Sequence, residues 1–268
     1  MTHSSPSHSL HMDANAIASV TVKRVLIMTS VAAERDAVLR GLQQSAATPS
    51  AAMGSSQLDI QESQTEAKLQ EANTPRVEFD VEIAGVGAAM AAVHTTRALM
   101  SSSHPYDLVI NAGIAGGFVG RAEIGSLVVA SEIICADLGA ESEEGFISVD
   151  ELGFGSARIP VSESIAAKLA EALHEAQLTA VHAPILTLST ATGTKASAEE
   201  LLVRVPEAAA EAMEGYGVAA AAKTSSLPVL ELRAISNAIG PRDRSAWRIG
   251  DALQALEAAS AVLKEVLR

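Results

Sequence analysis

Residues 107–117 read DLVINAGIAGG. The unbroken apolar run Leu108–Val109–Ile110 marks a strand buried on both faces, and three glycines, 113, 116 and 117, gather at its carboxyl end. In an α/β sheet that end is where ligands lie, since glycine lets backbone amides approach a small polar group. Plain turn chemistry would ask for the same residues. On this reading the strand runs into a glycine loop, and short β-rich runs alternate with alanine-rich helical runs to either side of it.

VKRVLIMTS (22–30) is a buried strand, Ala32–Leu42 a helix with Val38, Leu39 and Leu42 on one side, and Val77–Ala84 the next strand. Residues 85–100 are helical, IGSLVVASEIICADLG (124–139) is a longer strand, and Ser162–Gln177 is an amphipathic helix with Ile165, Leu169 and Leu173 in its stripe. Ser197 and Glu200 form an S-x-x-E capping box opening a short helix that ends before Pro206. EAMEGYGVAAAAKTS reads as a helix or a strand leading into one, LPVLELRAISNA as a last buried strand, and Ile249–Leu267 as a closing helix. The pattern predicts a single α/β domain of three layers, α/β/α, with a central mixed sheet.

Two stretches fall outside it. Residues 1–22 are expected to be a disordered tail, and residues 43–75, rich in Ser, Gln, Thr, Ala and Glu, a low-complexity insertion within a domain spanning 23–268. The opening residues carry no Lys or Arg before Lys23, so both parts of a secretory signal are missing, and no apolar run approaches the ~18–20 residues that cross a bilayer. A cytoplasmic protein without membrane association is expected.

The chain has 268 residues, 48% hydrophobic and 19% charged, which places it among globular proteins. A net charge of −13 and 3% aromatic content offer neither phosphate neutralisation nor stacking platforms, so nucleic acid is not an expected partner. Cys135, the single cysteine, reads as a buried strand residue. The seven histidines form no H-x-x-x-H or H-x-H pair, so no metal is expected. In VEIAGVGAAMAA, Gly85 and Gly87 imitate a dinucleotide fingerprint, but Met90 stands at the third glycine position and Asp107 opens a strand instead of ending one. No organic cofactor is expected either.

Three polar residues stand out. Glu34 follows the first strand, where the helix dipole alone favours an acid. Glu214 sits in EAMEGYGVA at the head of an apolar run, a costly place for an unpaired charge, and reads as ligand-bound. Asn237 ends the last strand, where an Asx-type turn and a functional role are equally good readings.

Taken in order, AAERDAV, DLVINAGIAGG, RVPEAAAEAMEG and VLELRAISNAIG resemble the nucleoside phosphorylase and nucleosidase superfamily, in its methylthioadenosine nucleosidase-like branch, over nearly the whole core. The tail GPRDRSAWRIGDAL (240–253), with Asn237 where adenine-specific relatives carry Asp, is most similar to the branch members that hydrolyse futalosine in menaquinone biosynthesis. The resemblance implies cleavage of an N-glycosidic bond through an oxocarbenium-like cation, with release of hypoxanthine. It implies that Glu34 orients and deprotonates water, that Glu214 accepts from the ribose 2′ and 3′ hydroxyls, and that Met213 packs on the sugar. Gly113, Ile114 and Ala115 would line the ligand, and Thr192 within TATGT (190–194) would touch the base, although this segment lacks the family's usual aromatic residue. Asn237 would donate to O6 of a 6-oxopurine.

Arg242, with Arg244 and Trp247 nearby, is a candidate for holding the carboxylate on the far end of futalosine; surface salt bridges with Asp243 and Asp251 are the alternative. A homodimer or higher homo-oligomer is the family's usual assembly. Adenine-type nucleosidases, purine phosphorylases and a silent nucleoside sensor remain the rival functions. A phosphorylase would need basic phosphate ligands, and the nearest cation to the glycine loop is Arg121, four residues past Gly117.

Overall fold

A computed structural model describes residues 22–44 and 77–268. All of the expected tail but Val22, which packs against the core, and almost all of the expected insertion therefore lie outside the described residues. The insertion's first two positions do not fit that expectation: helix α1, Ala32–Gln43, runs through Gln43, and Gln44 caps it with its amide on the carbonyls of Arg40 and Gly41.

Ten strands and six helices follow in the described residues. The strands are β1 (Arg24–Thr29), β2 (Glu78–Ile83), β3 (Leu108–Gly117), β4 (Leu127–Cys135), β5 (Gly139–Ser142), β6 (Gly145–Ser148), β7 (Arg158–Pro160), β8 (Ala180–Thr187), β9 (Ala210–Ala212) and β10 (Val229–Ala238). The remaining helices are α2 (Ala88–Ser101), α3 (Glu163–Glu175), α4 (Lys195–Arg204), α5 (Gly215–Thr224) and α6 (Ile249–Val266).

The expected mixed sheet is present. β2, β1, β3 and β10 are parallel neighbours, β4 joins β10 antiparallel, and β8 runs parallel to β4. The sheet then returns on itself, because β9 pairs with β8 on one side and with Gly116 and Gly117 of β3 on the other. Strands β3, β10, β4, β8 and β9 thus form a closed ring, with β1 and β2 as a wing.

Alternation along β1 and β3 feeds two of the three cores among the described residues. Val25 and Ile27 of β1, with Leu108 and Ile110 of β3, pack under α1, α3 and α6 against Val38, Leu169 and Leu256. Leu26, Met28 and Val109 face the other way, onto Ala91, Ala98, Val218 and Ala219 of α2 and α5. Burial on both faces explains why these strands read as continuous apolar runs.

Two expectations are corrected. DLVINAGIAGG does not leave the sheet as a loop: its glycines lie inside β3, where missing side chains admit Asn237, Ile239 and the Ala122 backbone. Helix α4 is capped by Thr194, whose hydroxyl accepts from the Ser197 amide at 3.1 Å, so Ser197 is an interior residue of the first turn and not the cap. Glu200, expected to close that box, is bound to Arg204. The β5–β6 hairpin and β7, each of four residues or fewer, carry no periodicity long enough to read in advance.

Candidate active site

β1 delivers the chain to Ser30, and α1 begins two residues later, so Glu34 lies in its first turn and points back over the strand end. Its Oε2 accepts from the amides of Ser30 (2.8 Å) and Val31 (3.2 Å), and its Oε1 accepts from Ile114 across the sheet at 2.8 Å. The dipole-capping role is therefore real, and it holds a buried carboxylate, 3% exposed, against β3. Among the described residues Oε1 accepts this one hydrogen bond, which leaves a lone-pair direction for a further donor. Gly113 explains the approach: a Cβ there would come to 2.7 Å from both Glu34 Oε1 and Arg233 Nη1.

Arg233 is the hub of the site. It is fully buried in β10, donates from Nε to Glu231 Oε1 at 2.8 Å, from Nη2 to the side-chain oxygen of Asn111 and to Glu214 Oε2 (3.4 Å), and from Nη1 to the Ile114 carbonyl (3.4 Å). Asn111 in turn donates to the Met28 carbonyl at 3.0 Å. Burial opposes the charge on Arg233, but Glu231, Glu214 and Glu34 outweigh it and push its pKa up. Desolvation raises the carboxyl of Glu231 despite its guanidinium partner. One cation thus organises three acids.

Glu214 precedes α5 and joins this hub from the other side, its Oε1 accepting from the Gly87 amide at 3.2 Å. Both of its contacts are long, which leaves acceptor capacity for hydroxyl donors. Its neighbour Gly215 is needed because a Cβ would lie 2.5 Å from Glu231 Oε1. Met213 is half-buried in the turn between β9 and α5.

Asn237 closes the row. In register it lies beside Gly116, and its Nδ2 would stand 3.3 Å from a Cβ on that glycine. Its Oδ1 accepts from Ser236 Oγ (2.9 Å), its Nδ2 donates to the Ala238 carbonyl (3.1 Å), and Ser236 Oγ also reaches the Ala115 carbonyl (3.1 Å). Thr192 reaches this end of the ring by giving its amide to Glu211 Oε1 at 2.7 Å.

Glu34, Gly113, Ile114, Ala115, Met213, Glu214, Thr192 and Asn237 therefore lie around the carboxyl ends of β1, β3, β9 and β10. Arg242 and Arg244 are exposed and flank Trp247, at 5.6 and 5.9 Å from its ring centre. The alternative salt bridges are not formed among the described residues; Asp243 instead accepts from the Ser245 amide at 3.0 Å. The Arg248 amide reaches the Ser236 carbonyl at 2.8 Å, which brings this segment back beside Asn237.

Sequence reasoning missed Asn111, Glu211, Glu231 and Arg233. The signal was present in VLELRAIS, where two opposite charges two residues apart share one face of a strand otherwise apolar. Arg121, the one cation weighed as a phosphate ligand, turns away to the carbonyls of Pro206 and Ala208. Cys135 is half-buried, and its thiol is pushed up to about 12 by burial and the adjacent Asp137. Among the described residues no group of three His, Cys, Asp or Glu side chains could hold a metal ion, and no helix is long and apolar enough to cross a membrane.

Residues 78–268 match the family model described as Phosphorylase superfamily. The chain is 47% identical over 246 residues to a futalosine hydrolase of Streptomyces coelicolor, covering 91% of this chain and 96% of the relative. It is 43% identical to a futalosine hydrolase of Acidothermus cellulolyticus, covering 91% of each. Among solved structures, futalosine hydrolase of Helicobacter pylori aligns with a TM-score of 0.67 at 19% identity, over 92% of this chain and 97% of that one.

Proposed function

The chain belongs to the phosphorylase superfamily, and from that premise we propose that it hydrolyses the N-glycosidic bond of futalosine, releasing hypoxanthine and the dehypoxanthine product. The observation that carries the reading is Glu34, a buried carboxylate with acceptor capacity to spare, set beside Gly113 and linked through Ile114 and Arg233 to Glu214. An anion in that position suits water and repels phosphate, which favours hydrolysis over phosphorolysis.

Glu34 orients a water and takes its proton as the oxygen bonds to C1′. The C1′–N9 bond breaks, its electron pair leaves with the purine, and Glu214 holds the ribose hydroxyls while its charge favours the cationic sugar. Met213 packs on the sugar, and Gly113, Ile114 and Ala115 form the wall between the two acids. Asn237 cannot supply a proton. Its amide donates to O6, and the departing base is protonated from solvent. Thr192 borders the base, and Arg242 serves the carboxylate of the substrate's tail. The reading includes the cytoplasmic place in menaquinone biosynthesis that the resemblance implies, and assembly with further copies of the chain.

The test is product chromatography with futalosine, its 6-amino analogue and methylthioadenosine, each with and without phosphate. Hypoxanthine released from futalosine without phosphate is expected. Adenine release or phosphate dependence overturns the reading. Glu34→Gln is expected to lower kcat by about 10²–10⁴-fold while substrate still binds; unchanged turnover would remove Glu34 from the chemistry, and an inactive wild type that binds nucleosides would favour a sensor.

A further inference from the structure

We propose that Glu211 sets the enzyme's preference for a 6-oxopurine by accepting a hydrogen bond from the N1–H of the base. The inference rests on the reading of the site as a futalosine-cleaving one and names the residue that selects the base.

Three strands bring the parts together. Asn237 of β10, Gly116 of β3 and Glu211 of β9 are register partners in one row across the sheet. Directly paired residues on an antiparallel ladder project to the same face, so the Glu211 side chain leaves the sheet on the side where a Gly116 Cβ would point. Asn237 Nδ2 lies on that same side, 3.3 Å from the Cβ position. An amide and a carboxylate therefore flank a glycine whose Cβ position also lies 2.9 Å from Ile239 Cγ1, with backbones about 10 Å apart at two strand spacings. Gly116 itself is partly exposed, and a base between the two groups would lie against Ile239.

The carboxylate is only half-satisfied. Glu211 is 7% exposed; its Oε1 accepts from the Thr192 amide at 2.7 Å, while its Oε2 is buried with no partner among the described residues. Burial pushes the carboxyl above its ordinary range. A buried acceptor without a donor is costly unless a ligand supplies one.

The chemistry of the base completes the match. A 6-oxopurine presents O6 as an acceptor beside N1–H as a donor. A 6-aminopurine presents the reverse, an amino donor beside an unprotonated N1. Asn237 can donate to O6, and Glu211 can accept from N1–H, each on its own side of the Gly116 gap. An ionised carboxylate facing the N1 lone pair of a 6-aminopurine would meet acceptor with acceptor. Asn237 alone is a weak discriminator, because an amide can offer either its oxygen or its nitrogen; a carboxylate offers only acceptors.

The experiment measures kcat/KM on futalosine and on its 6-amino analogue for the wild type and Glu211→Gln. The glutamine keeps the Thr192 bond through its oxygen and turns an N–H toward the base, so the futalosine-to-analogue ratio is expected to fall at least 100-fold. A ratio unchanged within threefold, with activity on futalosine intact or equally reduced on both, overturns the proposal and leaves Glu211 a loop anchor. A wild type that does not cleave futalosine overturns the functional reading itself.

Product inhibition of the wild type gives a reading independent of the variant's folding. Hypoxanthine is expected to inhibit at least 30-fold more strongly than 1-methylhypoxanthine, which keeps O6 and N7 and lacks the N1–H. Equal inhibition overturns the assignment.

Discussion

Glu211 is a liability to the fold, and its sign can be worked out. The folded-state carboxyl lies above the ordinary value of 4.5, so between those two points the native state binds more protons than the unfolded chain. Stability from this group is therefore present in acid and is lost as pH rises through the raised value. Glu211→Gln, which removes the charge and keeps the Thr192 bond, is expected to raise Tm at pH 7 by about 2–4 °C, or roughly 1 kcal/mol in a chain of this size. The difference should vanish below about pH 4.5, where both side chains are neutral. Scanning calorimetry from pH 4 to 8 checks this, and a variant less stable than wild type at pH 7 would remove the idea of an uncompensated charge. The same residue shows how far single positions are legible. Glu214 stands out in the sequence because a charge heads an apolar run, and that logic applies equally to Glu211, Glu231 and Arg233. What the one-dimensional pattern cannot give is their partners: Arg233 reaches Glu214 and comes under the charge of Glu34 only after β1, β3 and β10 are laid side by side.

At the scale of elements, helix packing decides a position that periodicity treats as neutral. Gly41 lies in the last turns of α1, where that helix crosses α6, and a Cβ there would run into the Glu257 carbonyl and approach Ser260 Cβ to 2.7 Å. Alanine is the better helix former by about 1 kcal/mol. The obstacle is backbone, however, and cannot rotate away, so the helices must part at a cost of about 1–3 kcal/mol or more. Gly41→Ala is expected to lower Tm by roughly 2–8 °C with kcat/KM at low temperature little changed, since the contact joins α1 to α6 and does not involve the Glu34 carboxylate. A Tm equal to or above wild type would mean that the crossing is loose. The long elements were legible because each buries a continuous face: β1, β10, α3 and α6 lie within two residues of their expected ends. The short ones were not. β5 and β6 are a hairpin too short to show a period, β7 and β9 owe their existence to partners remote in sequence, and Thr194 displaces Ser197 as a cap because the helix begins three residues earlier than the S-x-x-E pattern suggests.

For the whole molecule, closing the sheet determines both where the site lies and which surface is left over. Gly116 and Gly117 let β3 change neighbours on one edge from β1 to β9 while β10 stays paired on the other, and the bulge at Ile235–Asn237 turns β10 with it, so residues from four strands converge at one end of a ring. α2 packs one face on α5 and leaves Met90, Val93 and Met100 exposed on a helical stripe, with Val86 just ahead of it. Val93 is 60% exposed and Met100 is 82% exposed. A second copy of the chain is the occupant that this reading assigns to the stripe, because α2 begins at Gly87, whose amide holds Glu214, so an interface there would also steady the site. Light scattering after size-exclusion chromatography is expected to give at least twice the 27.6 kDa chain mass for the wild type. The pair Met90→Asp and Val93→Asp, which places two charges on the stripe without touching the core, should return it to a single chain and reduce kcat/KM more than Tm. A wild type that runs as one chain, or a variant that keeps its mass, would show that the stripe does not join copies, and the order of Gly87 would then have to come from α5 alone.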